Sequence, residues 1–336
     1  MEFTAGGRLE VRITPADVGK RVSVRRLSEG EAGAEKFTDT VGVLTSWNEG
    51  VLVITRRTGE SVRIAESSLV AGKVVPAAPA RRKGPSAGFE ELARVTARAW
   101  QPVESERLGA WELRASGGFT RRANSVLPLG DPGVPLTEAL ERVRSWYARR
   151  DLPAYMQTAT GAAGTQEQLC AELEARGWRR EVSAQVQTGA LAPVGDLDAD
   201  VSRVRLARSC DETWLRRYQR SVVPGPHVLK VLGSGPSVWF ASVPGPTGAG
   251  TGETPAAIGR CVVDGRWAGF MAVEVDPAHR RQGLATSVMT ALARRALDEG
   301  ASAAWLQVEA DNGAARTLYE AMGFAIHHHY HHYRSA

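Results

Sequence analysis

The chain is 336 residues long, 43% hydrophobic and 24% charged, values ordinary for globular domains with room for two or three cores. No apolar run is long enough to span a bilayer, and Met1-Glu2-Phe3-Thr4 opens no secretory leader. Cys170, Cys210 and Cys261 lack any disulfide or metal spacing, so a cytoplasmic protein with reduced thiols and no metal site is expected.

The net charge of +5 suits an anionic cofactor, an acidic substrate or nucleic acid equally. Basic residues are mixed with acids except in Arg81-Arg82-Lys83, which reads as a solvated linker charge.

Residues 1–75 read as a small β-module. Short alternating segments, such as Arg21-Val22-Ser23-Val24-Arg25 and Val51-Leu52-Val53-Ile54-Thr55, are separated by turn residues at Asn48-Glu49-Gly50 and Thr58-Gly59-Glu60. So many short strands in so few residues predict an all-β barrel of SH3-like type. Residues 76–88, rich in Pro and Ala, read as a linker.

From Phe89 helices alternate with strands. The pattern predicts a helix over Glu90 to Trp100 and paired strands Trp111 to Ala115 and Phe119 to Leu127 around Gly117-Gly118. A helix capped by Thr137 runs to Arg150, and Leu152 to Thr158 reads as a strand. Thr165 and Gln168 have capping-box spacing for a helix that stops at Gly177, with a strand over Ser183 to Thr188 beyond it.

Val201 to Leu206 is strand-like, and Ser209 caps a helix through Arg220. Three strands follow: Val238 to Val243, Ala257 to Val263 and Trp267 to Val275. A helix over Gly283 to Asp298 puts Ala285, Val288, Met289, Leu292 and Ala296 on one face. Trp305 to Glu309 is a strand, Asn312 caps a helix to Met322, and Phe324 to Arg334 closes the order as a strand. Residues 89–190 and 191–336 repeat one sequence of elements, which predicts a duplicated α/β unit.

The most informative stretch is Arg280-Arg281-Gln282-Gly283-Leu284-Ala285, between the strand ending at Val275 and a helix beginning near Thr286. A glycine there lets the backbone approach a ligand. The helix start offers unpaired N–H groups and the positive end of its dipole, and two arginines add charge. Together these features suit a pyrophosphate.

The second half resembles the GNAT superfamily of acyl-CoA-dependent N-acyltransferases. Val273-Glu274-Val275-Asp276-Pro277 leading into Arg280 to Ala285 carries the first match. Leu306-Gln307-Val308-Glu309-Ala310-Asp311-Asn312 with Ala315-Arg316-Thr317-Leu318-Tyr319-Glu320-Ala321-Met322-Gly323-Phe324 carries the second. The likeness covers residues 200–334 well and 89–190 in element order only. It implies an α/β (α+β) GNAT fold with a degenerate half (89–190) and a catalytic half (191–336), behind the barrel. An SH3-like module ahead of such a tandem, with Arg121 to Val126 between, looks like an actinobacterial group labelled histone-acetyltransferase-like.

The resemblance implies that backbone N–H groups from Arg281 to Ala285, flanked by Arg280 and Thr286 and including Gln282, Gly283 and Leu284, cradle the pyrophosphate of acetyl-CoA. Main-chain atoms of Val273 and Val275 pair with pantetheine, which Asn312 also contacts. Tyr319 protonates the departing thiolate. Glu274 and Glu309 are the candidate bases, with Glu274 favoured, and a backbone N–H near Val275 meets the oxyanion.

In the first half the corresponding loop reads Gly130-Asp131-Pro132-Gly133-Val134-Pro135, where two prolines remove donors and Asp131 repels phosphate, so no CoA is expected there. Asn124 and Ser125 are chosen as acceptor-side contacts. Trp100, Trp111, Trp146, Trp178, Trp214, Trp239, Trp267 and Trp305 read as core, with one or two lining an acceptor pocket. The tail His327, His328, His329, His331 and His332 reads as a polar strand, one face of which meets substrate or CoA, rather than a metal site.

The expected partner is an amine, on a small molecule or a protein, with no membrane and with nucleic acid still in play. No cysteine lies in the motifs, which favours direct transfer. The rival expectation is a non-catalytic acyl-CoA sensor whose β-module binds protein or nucleic acid.

Overall fold

The computed structural model describes residues 10–28, 36–76, 85–218, 225–245 and 254–336; Arg81-Arg82-Lys83 lies outside them, as does the stretch predicted to end a helix at Arg220. Contacts divide the chain into two compact units, residues 1–80, 158–179 and 336 in one and residues 81–157 and 180–335 in the other. Residues 158–179, which the sequence pattern groups with 89–190, therefore pack with the N-terminal segment.

In the first unit, β1 (Arg21–Ser28), β2 (Lys36–Asn48), β3 (Val51–Thr55), β4 (Ser61–Ala65) and β5 (Leu69–Val74) form an antiparallel sheet in the order β4-β3-β2-β1-β5. Alternation along β1 drives Val22 and Val24 into a core with Ile13, Leu44, Leu52, Ile54 and Ile64, while Arg25 pairs with Asp39 outside. Glu49 and Gly50 both take positive φ, 51° and 71°, the two-residue turn whose twist matches a hairpin.

The chain continues through α1 (Phe89–Arg98), β6 (Glu104–Leu108), β7 (Trp111–Ala115), β8 (Leu127–Pro128), α2 (Leu136–Ala148) and β9 (Tyr155–Thr160). Next come α3 (Glu167–Ala175), which belongs to the first unit, β10 (Arg179–Ala190), α4 (Ala192–Gly195), β11 (Arg205–Ala207), α5 (Glu212–Arg217) and α6 (Pro226–Leu232). The remaining elements are β12 (Ser237–Val243), β13 (Ala257–Asp264), β14 (Trp267–Val275), α7 (Leu284–Asp298), β15 (Ala303–Glu309), α8 (Gly313–Ala321) and β16 (Ala325–Arg334).

Eight strands form one sheet in the order β11-β12-β13-β14-β15-β10-β16-β9. Strand β10 lies between β15 and β16, so both halves contribute to this one sheet, while β6, β7 and β8 of the first half form a separate three-stranded sheet.

Several local expectations change. Phe119 to Leu127 is not a strand: β7 pairs along its length with β6 and meets β8 only through Trp111 and Glu112. Gly117, Gly118 and Thr120 take positive φ, and the Asn124 side chain holds the resulting loop. Asp211, not Ser209, caps α5, its carboxylate accepting from Trp214 N at 2.8 Å. Thr137 lies inside α2, which starts after Pro135 without a side-chain cap, and α3 starts after Gln166 rather than Thr165.

The sheet has two differently dressed faces. On one, Val288, Met289 and Leu292 of α7 pack on Ala257, Ala268, Phe270 and Leu306, with Leu318 and Tyr319 of α8 at the margin. On the other, Trp100, Trp214 and Tyr218 pack with Ile258, Met271 and Trp305.

Gly269 of β14 lies against Trp305 so closely that an added Cβ would stand 2.3 Å from the indole. Replacing Gly269 by Val is expected to cost about 2–3 kcal/mol of stability, read as a lower urea midpoint at constant slope. An unchanged midpoint would contradict this packing.

Strand β16 is buried over most of its length, and His331 donates to or accepts from Ser183 Oγ at 2.8 Å. Burial pushes the His331 imidazole down to about 3. The tail is thus interior sheet, and its histidines stay outside the cavity described next.

Candidate functional site

The site begins with an irregularity in β14. Its antiparallel pairing with β13 slips between Ile258 and Arg260, opposite Ala272, whose φ is 51°. An extra residue of this kind bends a strand. Parallel pairing of β14 with β15 runs from Trp267–Ala303 to Phe270–Leu306, and the two strands then part around a cavity of about 740 Å³. Val273 and Val275 line this opening.

Asp276 steers the chain out of β14. Its carboxylate accepts from Ala278 N at 2.8 Å and pairs with Arg217, contacts that hold it below the usual carboxylate range, the backbone N–H foremost. The chain then reaches α7 through Arg281 and Gly283, both left-handed at φ 61° and 77°. Such turns gather successive N–H groups into an anion-binding concavity. The first turn of α7 adds unpaired donors and the dipole, Ser287 N being bonded to Gly283 O at 2.9 Å.

Asn312 caps α8 by accepting from Ala315 N at 3.1 Å, and the helix carries Tyr319 to the cavity wall. Tyr319 is half-buried with its ring edge-on to Phe324, centroids 6.2 Å apart. Burial pushes its phenol up to about 12, so it keeps its proton at neutral pH.

Glu274 pairs across the ladder with Ile258, which places it on the face away from α7. Gln307 and Glu309 share that face with Trp305 by alternation. The cavity thus opens toward α7 and α8 on one side and toward two carboxylates on the other.

Val273, Glu274, Val275, Arg280, Arg281, Gly283, Leu284, Ala285, Thr286, Asn312 and Tyr319 all line the cavity, as does Glu309; Gln282 does not. Asn124 and Ser125 are a correction. Asn124 Oδ1 accepts from Ser116 N and Gly118 N, and its Nδ2 donates to two carbonyls, while Ser125 bonds Arg114, so both are spent on the fold.

Sequence reasoning missed Arg122, Arg217, Tyr218 and Gln307, which line the same cavity with Trp100. Gln307 stood inside the second motif block and could have been found by its alternation with Glu309. Arg122 carried no comparable signal.

Residues 87–333 match the family model described as "Probable histone acetyltransferase Rv0428c C-terminal", and residues 16–73 match "Rv0428c N-terminal Sm-like domain". The five-stranded sheet thus stands where an SH3-like barrel was expected and carries the description Sm-like. A probable histone acetyltransferase, Rv0428c, of Mycobacterium tuberculosis is 29% identical over 313 residues, 93% of each chain.

Among solved structures, a GCN5-related N-acetyltransferase from Kribbella flavida aligns with TM-score 0.54 and 16% identity over 74% of this chain and 96% of that one. A tandem GNAT protein from the clavulanic acid biosynthesis pathway aligns with TM-score 0.51 and 14% identity over 75% and 90%. Both likenesses are of fold.

Proposed function

The chain belongs to the family of the probable histone acetyltransferase Rv0428c, enzymes of the GNAT N-acyltransferase superfamily, and from that premise we propose that it moves an acetyl group from acetyl-CoA to an amine by direct attack on the thioester. The observation that carries this reading is the parting of β14 from β15 beside the left-handed Gly283 turn.

On this reading the N–H groups of Arg281 to Ala285 receive the pyrophosphate, with Arg280 and Arg281 supplying charge. The pantetheine arm enters the gap as an added strand against Val273 and Val275. Glu274, on the far face, takes the proton that leaves the ammonium, directly or through water, and Glu309 is its alternate. The amine nitrogen bonds to the carbonyl carbon, and a β14 N–H near Val275 meets the oxyanion. The intermediate loses the nitrogen's second proton to water and collapses, the C–S bond breaks, and Tyr319 protonates the thiolate and regains its proton from water. Residues 191–336 hold this chemistry; residues 89–157 help shape the acceptor side.

Thiol release from acetyl-CoA over a panel of amines tests the proposal. CoA binding without turnover of any amine would reject it. Tyr319→Phe is expected to lower kcat about 10–100-fold with CoA affinity unchanged, because a thiolate leaves poorly but measurably without a proton. With its phenol raised to about 12, wild-type kcat should not fall as pH passes about 10, the ordinary phenol value. A fall there that Tyr319→Phe lacks would mean that Tyr319 is the acid but titrates at its ordinary value; a fall that the variant keeps would belong to another group.

A further inference from the structure

Arg122 reaches the cavity from the loop before β8. Its guanidinium lies 4.8 Å from the centroid of the Trp100 ring and donates to Gln307 Oε1, so neither partner is anionic. A guanidinium has five N–H donors in one plane. Stacking on an indole fixes that plane, and one bond to Gln307 leaves an edge for a planar, two-oxygen acceptor.

Two buried arginines nearby are also held by uncharged groups. Arg114 bonds Ser125 O, Ser125 Oγ and Gln157 Oε1. Arg260 bonds the Leu232 and Ala99 carbonyls and Met271 Sδ. Burial is the main cause that lowers both, Arg260 to about 9, and the charge of Arg122 adds to it. Positive potential therefore accumulates around Arg122, while Glu274 and Glu309 stand in the same cavity.

A surface that presents carboxylates and a guanidinium to one ligand suits a ligand that carries both signs. We infer that the acceptor is a small amino-acid-type molecule, whose carboxylate binds Arg122 while its amine meets Glu274 or Glu309. Arg122 is not placed for the cofactor's phosphates. Through Gln307 it belongs to the face lined by Trp305, whereas Gly283 and the start of α7 belong to the opposite face. The inference rests on the acyl-transfer reading and narrows its acceptor. A lysine-rich peptide would bring further positive charge to the Arg122 side of the cavity and no carboxylate to meet it.

The test compares glycine, L-alanine, L-glutamate and L-phenylalanine with their carboxamides, and with a lysine-containing basic peptide, as acceptors for the full chain and acetyl-CoA. The carboxylate is the only group that changes within each pair. Wild type should favour at least one amino acid over its amide by about tenfold or more in kcat/KM, since a charged hydrogen-bonded pair is at stake. In Arg122→Met that ratio should collapse to about one, and Arg122→Lys should restore part of it. The dissociation constant for CoA, measured by calorimetry, should not move.

Equal use of acids and amides by wild type, or preference for the peptide, overturns the inference while leaving acyl transfer intact. A matching loss of CoA affinity in Arg122→Met would reassign Arg122 to the cofactor. If no amine is turned over, the equilibrium arm decides: with CoA present, the N-acetyl amino acids should raise the melting temperature of wild type and not of Arg122→Met. No shift in wild type overturns the inference.

Discussion

Gly283→Glu should abolish measurable CoA binding, a loss of about 100-fold or more in affinity, worth about 2.7 kcal/mol. The reason is charge rather than volume, since a Cβ at Gly283 meets nothing within 4 Å. A carboxylate at the cap of α7 would occupy the positive end of the dipole and repel the pyrophosphate that the same N–H groups are meant to hold. Backbone strain adds to this, because φ is 77° where side chains are disfavoured. Gly283→Ala separates the two effects: it keeps the strain without the charge and should cost only several-fold. Calorimetry with CoA reads both variants. Equal losses would make backbone geometry the sole requirement, and no loss in Gly283→Glu would move the phosphate site elsewhere.

Glu274→Gln is the second large effect. An ammonium has no lone pair, so removing its proton acceptor should lower kcat/KM at neutral pH by about 100- to 1,000-fold. The deficit should close as pH rises toward the acceptor's own amine value, because the substrate then arrives deprotonated. Glu309→Gln is the comparator. Glu309 is exposed, whereas Glu274 adjoins the bulge where the strands part, so Glu309→Gln should cost only a few-fold. The pH–rate profiles of both variants check this. A larger, pH-rescued deficit in Glu309→Gln would exchange the two roles, and no deficit in either would assign proton removal to water.

The phosphate cradle and the helix carrying Tyr319 could be read from the chain because each is a run of neighbours. Arg280 to Thr286 would form the proposed anion site from consecutive N–H groups, and Asn312 to Tyr319 keeps cap and tyrosine on one short helix. Strands Val238 to Val243 and Trp267 to Val275 were legible for the same reason, since burial alternates or persists along a single segment.

Phe119 to Leu127 misled because its apolar residues suit a strand, while the positive φ angles at Gly117, Gly118 and Thr120 and the bonds of Asn124 bend it into a loop. The His-rich tail is the strand its pattern predicted, but its histidines are buried within the sheet and none of them lines the cavity that one face was expected to meet.

By itself the sequence determined the GNAT-like motif proposed to hold CoA, the helix that carries Tyr319, and the presence of two candidate bases. Each depends on interactions within about ten residues, where covalent geometry places the groups. Only the tertiary structure decided that Glu274 of β14 faces the same side as Gln307 and Glu309 of β15, opposite α7, that β10 enters the sheet between β15 and β16, and that Arg122 stacks on Trp100 beside them. Those relations join residues as far as 185 positions apart. They arise from burial and sheet registry, which no local pattern of residues encodes.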